Sequence, residues 1–242
     1  MEKWSDELQA RCKTVKENYQ RIMERISEAA VKSGRKPEDI TLLAATKTVP
    51  VEIINYGIDL GIHVIGENKV QEFLEKEESY RPCVRRFIGH LQTNKVRQIV
   101  GKVSMIQSVD SWKLAQEISR ISQKQGCLTK VLVEVNIGGE ESKSGVAPEA
   151  LPELVSQIDA LPGISLQGLM AIPPICEKKE EVREYFSQMH QLFIDMRAKK
   201  IDNGTIQFLS MGMSGDYEEA ILEGANMVRI GSALFGARNY NQ

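Results

Sequence analysis

Eight short apolar runs recur along this chain, and a stretch with the apolar spacing of an amphipathic helix separates most of them from the next. The runs cover residues 40–46, 63–66, 86–89, 104–107, 130–136, 165–171, 205–210 and 227–230. The helical patterns cover residues 51–60, 69–78, 94–101, 111–125, 148–161, 178–200 and 215–223. Because parallel strands need a crossover that is usually helical, this alternation predicts parallel βα units.

Eight such units predict an α/β fold, a single closed (β/α)8 TIM barrel. An open, doubly wound sheet uses the same units and is the alternative. Ahead of the first run, residues 3–33 have helical apolar spacing from Trp4 onward, and Gly34 and Pro37 end the pattern. We therefore expect residues 1–36 to form an N-terminal helix packed on the barrel and residues 37–242 to form the barrel itself, together one structural domain.

Composition excludes several classes of function. The chain has 242 residues, a formal net charge of -2 and a pI near 6.0, so it lacks the basic field that attracts nucleic acid. The charged N-terminus and the absence of a long apolar stretch predict a cytoplasmic protein that does not enter a membrane. The four cysteines form no CxxC pair and the three histidines are isolated in sequence, so we expect no metal site.

Polar residues cluster at the predicted carboxyl ends of the strands, where barrels of this type build their sites. They are Lys47, Glu67, Asn68, His90, Ser108, Asp110, Asn136, Ser210, Arg229 and Ser232. Each of the small polar residues could instead cap a helix. Their convergence at one end of the barrel favours a functional site.

Lys47 closes the first apolar run with an amine at the mouth of the predicted barrel. An amine in that position suits carbonyl chemistry, although a solvent-exposed lysine at a strand end is the plainer alternative. The loops after the last two strands, residues 210–216 and 229–236, are rich in glycine and serine. Gly231 and Ser232 would direct backbone N–H groups and a hydroxyl at a phosphate. An amine and a phosphate site on neighbouring strands together predict a phosphorylated aldehyde, pyridoxal 5′-phosphate.

Arg229 lies between Val228 and Ile230 on the eighth strand, so alternation turns its side chain into the barrel if those two pack on the helices. There the guanidinium could donate to the pyridine nitrogen of the cofactor, which weakens the ring as an electron sink, and it would lower the pKa of a nearby lysine. An ion pair with Glu67 or Asp216 is the alternative.

Several ordered motifs resemble the pyridoxal phosphate homeostasis protein family. They lie at residues 46–48, 65–72, 87–95, 133–136, 143–145, 168–170, 209–216 and 228–232. The resemblance implies a barrel like the N-terminal domain of alanine racemase, with the cofactor as an internal aldimine on Lys47. It also implies that Ser210, the backbone near Met211, Gly231 and Ser232 hold the phosphate, that Arg229 meets the ring nitrogen, and that Asn68 lies near the ring.

By the same resemblance, the protein would be a monomer that carries or buffers pyridoxal phosphate in vitamin B6 homeostasis and delivers it to cofactor-accepting apoenzymes, with indirect effects on amino-acid metabolism. One departure is Val49, where such proteins often carry a second basic residue two places after the lysine. Lys143 could be another amine, although a solvated loop lysine is the plainer interpretation.

Two enzymatic alternatives share the barrel. A weak pyridoxal phosphate-dependent racemase needs a second acid or base opposite the lysine, usually from an added β domain, and we expect none in the few residues after Gly236. His90 and Tyr56 are conceivable substitutes. A Schiff-base aldolase characteristically carries its lysine on the sixth strand, where residues 169–174 offer no amine.

Overall fold

Parallel pairing closes the strands into a ring, so the first strand pairs with both the second and the eighth. The computed structural model describes residues 5–236. Within that range the strands are β1 (Thr41–Ala45), β2 (Val64–Glu67), β3 (Val84–Phe87), β4 (Met105–Val109), β5 (Thr129–Val135), β6 (Ile164–Ala171), β7 (Gly204–Ser210) and β8 (Met227–Ile230). The closed barrel is therefore confirmed, and the open doubly wound sheet was the wrong alternative.

The helices occupy the predicted intervals, with one difference. They are α1 (Asp6–Lys32), α2 (Val51–Asp59), α3 (Val70–Lys76), α4 (Trp112–Gln125), α5 (Leu151–Asp159), α6 (Lys179–Arg197), α7 (Tyr217–Leu222) and α8 (Ser232–Phe235). The segment predicted as a helix over 94–101 is instead a 3₁₀ helix, Thr93–Gln98, after β3. No helix within residues 5–236 is both long and apolar enough to cross a membrane.

Helix α1 precedes the barrel and packs on its outside against α2, α7 and α8. Ser5 begins it as an N-cap, because its hydroxyl accepts a hydrogen bond from the backbone N–H of Leu8. Val15, Ile22 and Ile26 bury one face of the helix against the barrel helices. Residues 3 and 4, which the sequence assigned to this helix, lie outside the described residues.

Alternation along the strands separates two apolar layers. Side chains that point outward pack under the helices in one large cluster, which includes Val228 and Ile230. Side chains that point inward form two smaller clusters inside the barrel, centred on Leu43 and Met227 and on Met105 and Leu132. The carboxyl ends of all eight strands open at the same end of the barrel, which is where the polar residues collect.

Candidate functional site

A cavity of about 580 Å³ opens at the carboxyl ends of the strands. Five of the residues predicted for the site line it: Lys47, Asn68, Arg229, Gly231 and Ser232. Residues 213–216 and residues 172–179, from the loops after β7 and β6, complete the wall. The structure thus brings residues from both ends of the barrel sequence together around one space.

Lys47 lies in the turn that follows β1, where it is half-buried and lines the cavity. The next residue, Thr48, has a φ of 62°, a left-handed conformation that a β-branched residue rarely adopts. A turn held in an unfavourable conformation requires contacts that compensate its cost.

Arg229 points into the barrel, as alternation predicts, and is almost fully buried. Its Nη1 donates to Ser210 Oγ at 2.8 Å and its Nη2 donates to the Ala171 carbonyl at 2.8 Å. Burial lowers the pKa of Arg229 to about 10, while the charges of Glu134 and Asp216 raise it. The guanidinium therefore stays protonated at neutral pH. Both hydrogen bonds go to neutral groups, and within residues 5–236 Arg229 forms no salt bridge with Glu67 or Asp216, so the predicted alternative of an ion pair is not what holds it.

Among the residues predicted to bind the cofactor, Ser210 and Met211 do not line the cavity, and neither do Glu67, His90, Ser108, Asp110 and Asn136 from the wider set of strand-end polar residues. Ser210 lies one layer deeper, where its hydroxyl donates to Gln107 Oε1 at 2.8 Å and accepts from Arg229. Met211 is buried in the outer cluster under the helices. The long Arg229 side chain extends over Ser210 and lines the cavity in its place.

Ser214, four residues further along the same loop, reaches the cavity wall. Its hydroxyl oxygen accepts hydrogen bonds from the backbone N–H groups of Gly231 and Ala233, both at 3.2 Å. These N–H groups belong to the first turn at α8. A hydroxyl and two N–H groups gathered at one point of the wall match the chemistry of a phosphate, which accepts hydrogen bonds from such donors.

Asn68 follows β2 and lines the cavity on the Lys47 side. Its Oδ1 is buried and has no hydrogen-bond partner among the described residues. Helix α3 begins with Lys69 as its N-cap, so Asn68 does not cap that helix. A buried polar atom without a partner at a cavity wall is costly, which indicates that the wall suits a polar ligand.

Below the cavity, four inward polar side chains form what we call the cavity floor: Gln107, Glu134, Ser210 and Arg229. All four are buried, and Glu134 Oε2 has no hydrogen-bond partner in the described part of the chain. Burial, followed by the negative charge of Asp110, raises the pKa of the Glu134 carboxyl to about 7, and the charge of Arg229 acts in the opposite direction. The floor therefore combines a permanent positive charge with a carboxyl group that titrates near neutrality.

The two residues considered as racemase bases, His90 and Tyr56, and the second candidate amine, Lys143, lie outside the cavity. His90 is 58% exposed, and its Nδ1 lies 3.3 Å from Asp110 Oδ2 and 3.2 Å from Ser144 Oγ. Tyr56 is on α2 and packs against the outer cluster, and Lys143 is exposed in the loop after β5. None of these three residues lines the cavity.

Comparison with known proteins shows which family has this sequence and fold. The profile of the alanine racemase N-terminal domain family matches residues 11–239. The pyridoxal phosphate homeostasis protein of Aquifex aeolicus is 46% identical over 226 residues, which cover 93% of this chain and 98% of that protein.

Two solved structures are close in shape. A protein of unknown function from Bifidobacterium adolescentis has a TM-score of 0.90 at 36% identity, covering 97% of this chain and 98% of that one. PipY of Synechococcus elongatus PCC7942, solved with pyridoxal phosphate bound, has a TM-score of 0.76 at 31% identity, covering 89% of this chain and 100% of that one. By sequence and by fold, the chain belongs to the pyridoxal phosphate homeostasis protein family, whose barrel is of the alanine racemase N-terminal type.

Proposed function

We propose that this protein binds pyridoxal 5′-phosphate in the cavity, holds it through a Schiff base on Lys47, and carries or buffers the cofactor for other proteins. The observation that carries the proposal is the shared lining of one cavity by an amine, a buried guanidinium and a turn of backbone N–H groups. A relative of the same family, PipY, has been solved with this cofactor.

The residues fit the parts of the cofactor. Ser214 and the N–H groups of Gly231 and Ala233 would receive the phosphate, with the Ser214 hydroxyl turning from acceptor to donor. Ser232 lines the wall beside them. Asn68 would satisfy its buried Oδ1 against a polar group of the ligand. Ser214 and Gly231 already line the cavity, and Asn68 Oδ1 lacks a partner among the described residues.

Lys47 would supply the covalent bond. Its amine would form a C=N bond with the aldehyde carbon and the carbonyl oxygen would leave as water, so the bond would need no other reactant. The bound cofactor supplies electron withdrawal through its ring. Arg229 keeps its proton at neutral pH, and by donating to the ring nitrogen it would leave that nitrogen unprotonated and the withdrawal weak.

A carrier is favoured over a racemase because racemisation requires a second acid or base opposite the lysine. Neither His90 nor Tyr56 lines the cavity. Together with the weak electron withdrawal expected beside Arg229, this favours storage and release of the cofactor. We also propose that the protein acts as a monomer.

Replacement of Lys47 tests the proposal. Lys47→Ala should abolish the near-visible absorbance that the protein gains with pyridoxal phosphate, because it removes the amine proposed to form the Schiff base, although Lys178 and Lys179 also line the cavity and remain. Lys143→Ala is the matched control, since it removes an exposed lysine outside the cavity, and its spectrum should equal that of the unaltered protein. An unchanged spectrum in Lys47→Ala would reject the assignment.

The carrier role has a separate test. The loaded protein should restore activity to a pyridoxal phosphate-dependent apoenzyme while racemising alanine no faster than free cofactor does. Failure to pass on the cofactor, or a racemisation rate that Lys47→Ala abolishes, would favour the enzymatic alternative.

A further inference from the structure

The backbone on both sides of Lys47 is held by two charged side chains from α3. On the far side, the Thr48 N–H donates to Glu72 Oε1 at 2.5 Å. On the near side, the Thr46 carbonyl accepts from Lys76 Nζ at 3.3 Å. The two contacts are coupled, because Lys76 Nζ also donates to Glu72 Oε1 at 2.5 Å. One ion pair on α3 therefore contacts the peptide groups before and after Lys47.

The contact with Glu72 accounts for the unusual backbone of Thr48. A threonine at φ 62° is strained, because its Cβ crowds the backbone in the left-handed region. The Glu72 carboxylate accepts from the Thr48 N–H in that conformation, and a hydrogen bond to a charged acceptor is among the stronger ones in proteins. Without the carboxylate, we expect Thr48 to relax towards negative φ and to rotate the adjoining residue.

Glu67 anchors the same network from beneath. It is buried at the end of β2, and its Oε1 accepts from Thr46 Oγ1 at 2.6 Å and from Tyr80 OH at 3.1 Å. Lys76 Nζ lies 3.4 Å from the same oxygen. Thr46 is thus held through both its hydroxyl and its carbonyl, so the turn is fixed at two points before Lys47 and at one point after it.

We infer that Glu72 and Lys76, with Glu67, are positioning residues that fix the Lys47 turn so that its amine faces the cofactor aldehyde. This inference rests on the proposed function. Misplacement of a reacting group by about 1 Å can lower a reaction rate about a hundredfold, and we expect loss of one of these contacts to weaken covalent binding of the aldehyde about tenfold.

A comparison of two ligands distinguishes loss of Lys47 positioning from a general loss of folding or of ligand binding. Pyridoxal 5′-phosphate has the aldehyde that reacts with Lys47, whereas pyridoxine 5′-phosphate has the same ring and phosphate with an alcohol in its place. Glu72→Ala should weaken binding of the aldehyde about tenfold and leave binding of the alcohol unchanged. Glu75→Ala, an exposed neighbour on the same helix, should bind both ligands as the unaltered protein does.

A second substitution at Thr48 tests the backbone mechanism. Glycine adopts positive φ without the penalty of a Cβ, so Thr48→Gly in the Glu72→Ala background should recover part of the lost aldehyde binding. A purely structural role of Glu72 would not respond to this change. If Glu72→Ala does not fold, Glu72→Gln replaces it, because the amide keeps the shape and loses the charge that pairs with Lys76.

The possible results distinguish the positioning role of Glu72 from the proposed covalent anchor on Lys47. If the unaltered protein binds the aldehyde no more tightly than the alcohol, the covalent anchor itself is rejected. If the unaltered protein prefers the aldehyde and Glu72→Ala retains that preference in full, the positioning role is overturned and the anchor stands. Equal weakening of both ligands, or no recovery with Thr48→Gly, would likewise overturn the positioning role.

Discussion

The floor of the cavity is formed by buried side chains, whereas its rim is formed by turns that present backbone N–H groups. The floor consists of the buried side chains of Gln107, Glu134, Ser210 and Arg229, of which Gln107, Ser210 and Arg229 are joined by hydrogen bonds and Arg229 also donates to the Ala171 carbonyl. The rim, by which we mean the turns at residues 47–48, 213–216 and 231–233, presents backbone N–H groups and half-buried side chains. A change at the floor should therefore alter folding stability, whereas a change at the rim should alter binding alone.

Glu134 gives the largest expected effect at the floor. Its pKa is raised from 4.5 to about 7 in the folded protein, so the folded state holds that proton more tightly than the unfolded state does. The free energy of unfolding contributed by this group is therefore highest below pH 4.5 and falls by ~3 kcal/mol as the pH rises to about 7. Glu134→Gln should remove that fall, as urea unfolding at pH 5 and pH 8 would measure.

The matched control for Glu134→Gln is Glu141→Gln, an exposed carboxyl in the loop after β5, which should keep the pH dependence of the unaltered protein. The same decrease in stability with pH in Glu134→Gln would show that the floor carboxyl does not titrate as described.

Arg229→Gln should lower the free energy of unfolding of the cofactor-free protein by about 2 kcal/mol, because Ser210 Oγ and the Ala171 carbonyl lose a charged donor inside the barrel. Thermal or urea unfolding measures the loss. Arg120→Gln, at an exposed ion pair on α4, should change stability by less than about 0.5 kcal/mol. Equal stability of the two variants would show that the buried contacts of Arg229 do not stabilise the floor.

At the rim, Ser214→Ala should weaken binding of pyridoxal 5′-phosphate about tenfold, since one hydrogen bond to a charged group is lost. Binding of pyridoxal, which has no phosphate, should not change. Titration followed by absorbance measures both affinities, and unfolding should show little change in stability. A similar loss for both ligands would place Ser214 away from the phosphate.

Gly231→Ala tests the smallest effect. A Cβ at this position would lie 3.3 Å from the Ala45 carbonyl oxygen, so the turn must shift by a few tenths of an ångström, and we expect binding of pyridoxal 5′-phosphate to weaken by about threefold. Gly215→Ala is the control in the same rim, because a Cβ there meets nothing within 4 Å. If both variants bind as the unaltered protein does, the turn at Gly231 tolerates more displacement than its contacts indicate.

Most of the fold could be predicted from periodicity alone. Each strand lies within two residues of its predicted start, and the inward direction of Arg229 followed from its place between Val228 and Ile230. The segment Thr93–Gln98 became a 3₁₀ helix rather than an α-helix, which apolar spacing over one short segment cannot distinguish.

The site was harder to predict, because the position of a residue along a strand does not show how deep its side chain lies inside the barrel. Ser210 ends β7 and points inward, yet Arg229 from the neighbouring strand lies over it, and Ser214 reaches the wall instead. The spacing of Glu72 and Lys76 at i and i+4 could indicate their ion pair from sequence. Their contacts with residues 46 and 48 depend on how α3 packs against the end of β1, which the sequence does not reveal.

The central claim is that one amine, that of Lys47, bonds to the cofactor. Borohydride reduction of the protein loaded with pyridoxal 5′-phosphate, followed by digestion and peptide mass mapping, tests it most directly. We expect a single phosphopyridoxyl group on the peptide that contains Lys47, at close to one per chain. Recovery of the group on Lys143, Lys76 or a mixture of surface lysines, with Lys47 unmodified, would contradict it.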